Sequence, residues 1–335
     1  MKSFEIQEFG IDNLVFGDRP EPQPGAREVL VRLKAASLNY RDLTLVQGLY
    51  NPKLKRPLVP LSDGVGVIEK VGPGVTRFKP GDRVAGCFFQ QWIDGPHTKE
   101  KGRSALGGAI DGVARELAVF SEDGLVTAPG YLSDEEAATL PCAAVTAWHA
   151  LFEERTVVPG ETVLLLGTGG VSMFALQLAR VAGLRIIITS SSDAKLARAK
   201  ELGAHVTINY KEIPEWGEEA RKLAGGEGVD HVIEVGGSDT IAHSLRAVRT
   251  QGSISVIGAL SGREGGISPA PVLMNSIRMQ GIYVGSRTMF ERLIRAIEFH
   301  HIRPIIDRIF AFKELKDALR HMESKQHFGK ICLKF

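Results

Sequence analysis

Residues 161–172 read Glu161-Thr162-Val163-Leu164-Leu165-Leu166-Gly167-Thr168-Gly169-Gly170-Val171-Ser172, and their reading decides the fold. Val163 to Leu166 is an unbroken apolar run, as expected of a strand with both faces covered. Glycines follow at once, and from Val171 to about Ala182 apolar residues return at helical spacing. A strand, a glycine turn and a helix form the context that a dinucleotide fingerprint requires. Gly167 allows the tight turn, and Gly169 lets a pyrophosphate approach the backbone. The amides of Gly170 and Val171, at the helix start, then face the anion. Ser172 stands where the third glycine of G-x-G-x-x-G would pack helix against strand. The competing reading is a glycine-rich turn in an α/β protein that binds nothing.

The alternation continues downstream, which favours the nucleotide reading. Arg185–Thr189 precedes a helical pattern over Asp193–Leu202, and Val206–Asn209 precedes a polar helix over Trp216–Leu223. Val229–Glu234 precedes Thr240–Val248, and Ser253–Ile257 closes the series. Repeated strand–helix units predict an α/β domain with a doubly wound parallel sheet of the Rossmann type. Upstream, short strand-like runs (Glu28–Ala35, Gly64–Val71, Asp82–Ala85) are separated by Pro and Gly turns, predicting a compact β-rich unit. Trp92 to Gly112 is polar and aperiodic and reads as a long surface loop. The tail from Gly285 returns to mixed helices and ends in a strand-like Lys330–Lys334.

The end of the second strand selects the dinucleotide. A carboxylate about 20 residues past the glycines would bind the ribose hydroxyls of NAD. Here the strand ends Thr189-Ser190-Ser191-Ser192, and Asp193 already falls where it would cap the next helix. The hydroxyls of Ser190 and Ser191, with Lys195 and Arg198, suit a 2′-phosphate and so NADP(H); the plain alternative for Lys195 is a solvated helix face. Backbone at Val235-Gly236, Gly258 and Val284-Gly285 follows strand ends at the carboxyl edge of the sheet, where a dinucleotide is contacted.

The 335 residues suit two domains. The 41 basic and 39 acidic side chains leave a net charge of +2, which gives no reason to expect nucleic acid or an anionic membrane as partner. The opening MKSFEIQEFG lacks the apolar core of a signal peptide, and no apolar run is long enough to span a bilayer. Cys87, Cys142 and Cys332 lie far apart, so a reducing, cytoplasmic setting without disulfides is expected.

Taken with Leu38-Asn39-Tyr40-Arg41-Asp42-Leu43, Gly48-Leu49-Tyr50, Pro80-Gly81-Asp82-Arg83-Val84, Leu140 to Ala147, Gly167 to Val171 and Phe328-Gly329-Lys330, the chain resembles the medium-chain dehydrogenase/reductase superfamily. The likeness runs through nearly the whole chain and is strongest to the zinc-free, quinone oxidoreductase-like branch. It implies a GroES-like catalytic domain from residues 1–127 and 285–335, a Rossmann NADP-binding domain from 128–284, and a cleft at their junction. It also implies that Asn39 and Thr146 lie near the nicotinamide, that Tyr50 lines the substrate cleft, that Tyr210 packs by the 2′-phosphate and that Lys330 lies near the cofactor phosphates. Tyr50 as core packing and Lys330 as a solvated charge are the structural alternatives.

Zinc-dependent relatives hold the metal with a Cys, a His-Glu pair and a second Cys. The matching positions here are Asn39, Ser62-Asp63 and Cys142, so no metal is expected, and Cys142 reads as a small buried apolar residue. The segment matching the structural zinc lobe, Cys87 to Gly112, offers one cysteine and His97. Without a Lewis acid, acceptors that are already electrophilic are favoured: quinones or carbonyls conjugated to a double bond. Asn39 and Tyr50 are the catalytic candidates for holding the acceptor oxygen, while His149 and His243 lie in helical patterns and read as packing or surface residues. The alternatives are an enoyl or ketone reductase, a metal-dependent alcohol dehydrogenase, and a non-catalytic NADPH-binding regulator or sensor. A homodimer pairing the β-rich edge Ile277–Val284 is expected by analogy with the family.

Overall fold

The computed structural model describes residues 1–258 and 267–335. The chain divides into two compact units, Met1–Val145 with Val284–Phe335, and Thr146–Tyr283.

The N-terminal part of the first unit contains β1 (Lys2–Ile6), β2 (Leu14–Asp18), β3 (Glu28–Ser37), α1 (Tyr40–Val46), β4 (Asp63–Val71) and β5 (Arg83–Gly86). The short α2 (Lys99–Gly102), β6 (Leu117–Ser121), β7 (Leu125–Thr127) and α3 (Asp134–Ala138) follow. β3 is central: its ten residues pair antiparallel with β4 on one side and with β6 along the other, and its last residues pair with the C-terminal strand. Alternate β3 residues Val29, Val31 and Leu33 enter a continuous apolar core with Ile68, Val84 and Phe120. The sequence boundary at residue 127 differs from the contact boundary, which keeps 128–145 in this unit. The reason is α3, which packs against β3, β4 and the C-terminal strand.

The segment from Trp92 to Gly112 departs from the reading as a surface loop. Trp92, Ala105 and Leu106 are buried, and Phe89, Trp92 and His97 form a mutual ring cluster with centroids 4.9–5.7 Å apart. Burial lowers the pKa of His97, with the nearby Lys101 charge acting in the same direction. The Trp92 indole donates to Gly95 O at 2.7 Å, and the Lys101 ammonium gathers Asp94 O and Pro96 O at 2.8 and 2.7 Å. Ring packing and one lysine thus hold the lobe that bound zinc would hold in the relatives' pattern.

The second unit carries α4 (Val145–Trp148) at its start, then β8 (Thr162–Leu166), α5 (Gly170–Val181), β9 (Arg185–Ser190), α6 (Asp193–Glu201) and β10 (Val206–Asn209). It continues with α7 (Trp216–Leu223), β11 (Val229–Glu234), α8 (Ile241–Ala247), β12 (Val248–Val256), α9 (Ala270–Met274) and β13 (Arg278–Gly281). The sheet order is β10-β9-β8-β11-β12-β13, and each pairing is parallel. This is the doubly wound order, whose direction of winding reverses between β8 and β11, beside the glycine loop. β12 begins at Val248, earlier than the apolar pattern suggested, because the polar Arg249–Gln251 segment is carried into the strand.

The chain then re-enters the first unit as α10 (Arg287–Phe299), β14 (Ile306–Ala311), α11 (Leu315–Glu323) and β15 (Lys330–Lys334). β15 lies between β14 and β3. That placement sets Lys330, its first residue, against the β3–α1 corner. Among the described residues, no helix is long and apolar enough to cross a membrane.

Candidate functional site

The glycine loop closes β8 onto α5. Gly167 has φ +68°, which glycine adopts without strain, and Gly169 is the N-cap of α5. A Cβ built on either glycine meets nothing within 4 Å, so the space above the loop is open. The first-turn amides of α5, from Gly170 and Val171 onward, have no intrahelical partners and carry the positive end of the helix dipole. Ser172 takes over the packing role of the missing glycine: it is buried and donates its hydroxyl to Leu166 O at 2.7 Å. Helix and strand are therefore tied together directly beneath the loop.

At the end of β9, Ser190 is buried and Ser191 half-buried. Ser192, not Asp193, caps α6, its hydroxyl accepting from Lys195 N. Asp193 opens the helix instead, and its carboxylate accepts from the Asn209 side chain at 2.8 Å. The helix therefore starts one residue earlier in its capping geometry than the sequence suggested. Tyr210 N donates to Ser190 O at 3.1 Å, while the tyrosine side chain is 41% exposed. Ser190, Ser191, Lys195 and Tyr210 are thus carried by neighbouring strand ends and the first turn of α6.

Sequence reasoning missed Glu234, the last residue of β11. It is fully buried, and its carboxylate accepts from Gly236 N at 2.7 Å, Gly237 N at 3.1 Å, the Thr240 hydroxyl at 2.6 Å and the Ser244 hydroxyl. Its carbonyl accepts from Ile257 and Gly258 N–H. One residue therefore ties down both strand-end loops, the side chain holding the loop of Gly236 and the backbone carbonyl that of Gly258. An acid closing β11 two residues before Gly236-Gly237 was the available signal. Thr146 is buried in α4, and Val284, with φ +56°, falls in the first unit.

The first unit holds a separate polar cluster built from four parts of the chain. Asn39 precedes α1, its backbone N–H donating to the Asp42 carboxylate at 2.8 Å. Ser62 precedes and Asp63 starts β4, after Leu61, which adopts φ +69° although it is not glycine. Glycine is needed opposite it, because a Cβ on Gly112 would lie 1.9 Å from Leu61 O. Cys142 follows α3, and Lys330 opens β15.

These side chains form one chain of hydrogen bonds. The Lys330 ammonium donates to Leu38 O at 2.7 Å and to Asn39 Oδ1 at 2.6 Å, and stands 4.0 Å from Asp63 Oδ2. Asn39 Nδ2 donates to Ser62 Oγ at 3.4 Å, and Ser62 Oγ donates to Asp63 Oδ1 at 2.7 Å. Cys142 N donates to Asp63 Oδ2 at 3.1 Å. Lys330 is 3% exposed and Asp63 is fully buried. Burial pushes the Asp63 carboxyl upward, while Lys330, Asn39, Ser62 and the Cys142 amide pull it back, leaving it above its usual value. Burial also raises Asp42, to about 6. Cys142 is half-buried rather than sealed in the core, and burial followed by the Asp63 charge keeps its thiol protonated.

Two of the predicted site residues are held within the first unit. Lys330 is not a solvated charge; its ammonium is directed at Leu38 and Asn39, because β15 opens directly against the β3–α1 corner. Tyr50 is half-buried against the core of the unit, under the Arg41 guanidinium at 5.5 Å from its ring. Arg41 also stacks on Phe88 at 4.6 Å and donates to Leu106 O at 2.9 Å. His149 bonds Glu154 at 2.9 Å and His243 stacks on Trp216 at 4.9 Å, both in packing roles.

The cluster does not suit zinc. Asn39 Oδ1 is occupied by an ammonium, and the same ammonium would repel a dication beside Asp63 and Cys142. Cys142 and Asp63 alone fall short of three protein ligands. Among the described residues, no group of three His, Cys, Asp or Glu side chains is arranged to hold a metal.

Comparison with known proteins places this architecture. Residues 25–130 match the alcohol dehydrogenase GroES-like domain, and residues 170–298 match the zinc-binding dehydrogenase family. A zinc-type alcohol dehydrogenase-like protein of Schizosaccharomyces pombe is 48% identical, over 97% of this chain and 96% of its own length. An acryloyl-coenzyme A reductase of Metallosphaera sedula is 30% identical over 93% of this chain and 94% of its own. A quinone oxidoreductase of Rattus norvegicus is 27% identical over 99% and 97%. Among solved structures, a putative alcohol dehydrogenase from Sinorhizobium meliloti has a TM-score of 0.92 at 41% identity, covering 100% of this chain and 98% of its own. An NAD-dependent alcohol dehydrogenase has a TM-score of 0.91 at 34% identity with full coverage of both chains. A mycobacterial protein complexed with NADPH has a TM-score of 0.85 at 25% identity, again with full coverage of both. With a GroES-like domain and a Rossmann-type parallel sheet on one chain, the protein belongs to the medium-chain dehydrogenase/reductase superfamily, whose oxidoreductases include quinone oxidoreductase-like relatives.

Proposed function

We propose that the protein is a zinc-independent oxidoreductase that transfers hydride from NADPH to a quinone or an α,β-unsaturated carbonyl. The observation that carries this reading is the Lys330 ammonium bonded to Asn39 Oδ1 in the cluster where a metal site would have to form. Acceptors of this kind delocalise the incoming negative charge, so hydrogen-bond donors suffice where a simple ketone calls for a Lewis acid.

The nicotinamide supplies the hydride when bound. Gly167, Gly169, Gly170 and Val171 hold its pyrophosphate over the open loop, and Ser190, Ser191, Lys195 and Tyr210 receive the 2′-phosphate. Thr146, Gly236, Gly258 and Val284 complete the cofactor contacts. Asn39 and the Tyr50 hydroxyl hold the acceptor oxygen as charge develops on it. The sparse, widely spaced cysteines Cys87, Cys142 and Cys332 support a reducing, cytoplasmic setting. β13 lies at the end of the described sheet order, in keeping with a homodimer paired through that edge.

The test is coenzyme oxidation by purified protein of known metal content. NADPH consumption with a quinone or a conjugated enone, little with NADH or a saturated ketone, and no stoichiometric zinc are expected. Preference for NADH refutes the 2′-phosphate assignment, and stoichiometric zinc refutes the metal-free mechanism. NADPH binding without turnover by any acceptor moves the reading to a non-catalytic regulator.

A further inference from the structure

The relatives' pattern places a metal dication at positions 39, 62–63 and 142; this chain places a lysine ammonium among the same positions. The ammonium comes from a distant part of the sequence, 291 residues beyond Asn39, and is nearly sealed from solvent. An ammonium has donors only. Whatever faces it must be an oxygen, so Lys330 dictates that Asn39 turns Oδ1 toward it and Nδ2 away. Asn39 Nδ2 then donates onward to Ser62, and Ser62 to Asp63, giving the hydrogen bonds one direction from cation to carboxylate. Ser62, its proton committed to Asp63, accepts from Nδ2 only at 3.4 Å, so the 2.6 Å bond to the ammonium is the shorter of the two contacts that orient that amide.

We propose that Lys330 is the positioning residue of the reaction centre, its buried ammonium replacing the metal's charge and locking Asn39 with its N–H edge as the donor. The role rests on the zinc-free hydride-transfer reading above. A flipped Asn39 would present a carbonyl to the negatively charged oxygen of the reduced acceptor and oppose the reaction. Lys330 thus acts on turnover through Asn39, not on cofactor affinity.

Lys330→Met alone leaves Asp63 buried without its counter-charge, so the informative protein is Lys330→Met combined with Asp63→Asn, which removes both charges. The full-length double variant is compared with wild type for thermal stability, NADPH dissociation constant by fluorescence, the side-chain amide signals of Asn39 in 15N NMR (assigned with Asn39→Ser), and steady-state kinetics. The expected result is a folded protein with an NADPH dissociation constant within about threefold of wild type and displaced Asn39 signals. Its kcat falls about 100-fold, the scale of losing one preorganised donor, with a smaller change in acceptor KM. Lys330→Arg is expected not to restore kcat, because a planar fork does not fit the place of a point charge.

Wild-type kcat in the double variant would mean that Lys330 only balances Asp63 and would overturn the proposal. Unmoved Asn39 signals would overturn it as well. A tenfold rise in the NADPH dissociation constant would assign Lys330 to the cofactor phosphates instead. If wild-type protein turns over neither a quinone nor an enone, the functional reading fails, while the Asn39 signals and the NADPH affinity still decide the role of Lys330.

Discussion

His231 gives the second unit a defined weakness to acid. It sits on β11, 2% exposed, with Nδ1 2.5 Å from Ser253 Oγ and Nε2 3.3 Å from Ser255 Oγ. Burial, reinforced by the Arg155 charge, pulls its pKa from 6.5 to about 3, so the folded protein keeps it neutral throughout the ordinary range. In the unfolded chain it protonates near 6.5. Below that value the unfolded state binds the extra proton and the folded state does not, so stability falls as pH drops from about 6.5 toward 3. Each pH unit in the window costs about 1.36 kcal/mol. Between pH 7.5 and 5.0 the chain crosses about 1.5 units of it, a loss of about 2 kcal/mol from this one residue. His231→Asn and His231→Gln keep a polar contact and carry no titrating ring. Urea unfolding, followed by the fluorescence of Trp148 and Trp216 in the same unit, is measured at both pH values. The variants are expected to lose about 2 kcal/mol less than wild type on acidification, whatever their own cost at pH 7.5. Equal losses in wild type and both variants would refute the assignment of the acid sensitivity to His231.

Gly169→Val places a side chain in open space, so the melting temperature is expected to hold while calorimetric NADPH affinity falls about 100-fold, or roughly 3 kcal/mol. Ser172→Val removes the donor to Leu166 O and leaves a buried carbonyl without that partner, a destabilisation of about 1–3 kcal/mol in chemical unfolding. Ser190→Asp with Lys195→Ala adds a carboxylate and removes a cation at the end of β9; the ratio of kcat/KM for NADPH over NADH is expected to fall by at least about tenfold, the equivalent of 1.4 kcal/mol. An unchanged ratio would remove the 2′-phosphate from that loop.

The second unit was legible because its signals are local. β8 and β9 fall within one residue of the runs that periodicity assigned, since a parallel strand covered on both faces leaves an unbroken apolar run. Ser172 was legible too, as a small residue that could stand in for glycine; its bond to Leu166 O required coordinates. The Asp193 assignment failed by one residue because three serines in a row offered equivalent caps, and backbone geometry chose Ser192. The lobe from Trp92 to Gly112 hid its packing because three rings scattered among polar residues have no period.

Lys330 was the least legible residue because its role depends on closure of the chain. Next to Gly329 in a C-terminal strand it reads as a basic residue for the cofactor phosphates or for solvent, and only the pairing of β15 with β3 brings it to Asn39. The same geometry explains why the site changes as a unit. An asparagine at position 39 accepts from an ammonium where a cysteine thiolate would ligate a metal, and Asp63 needs a positive neighbour once it is sealed from water. Replacing any one of these residues alone would strand a buried charge or an unsatisfied amide. Hence Asn39, Ser62, Asp63 and Lys330 act as one element, and converting this centre to a zinc site requires changing Lys330 together with the ligands.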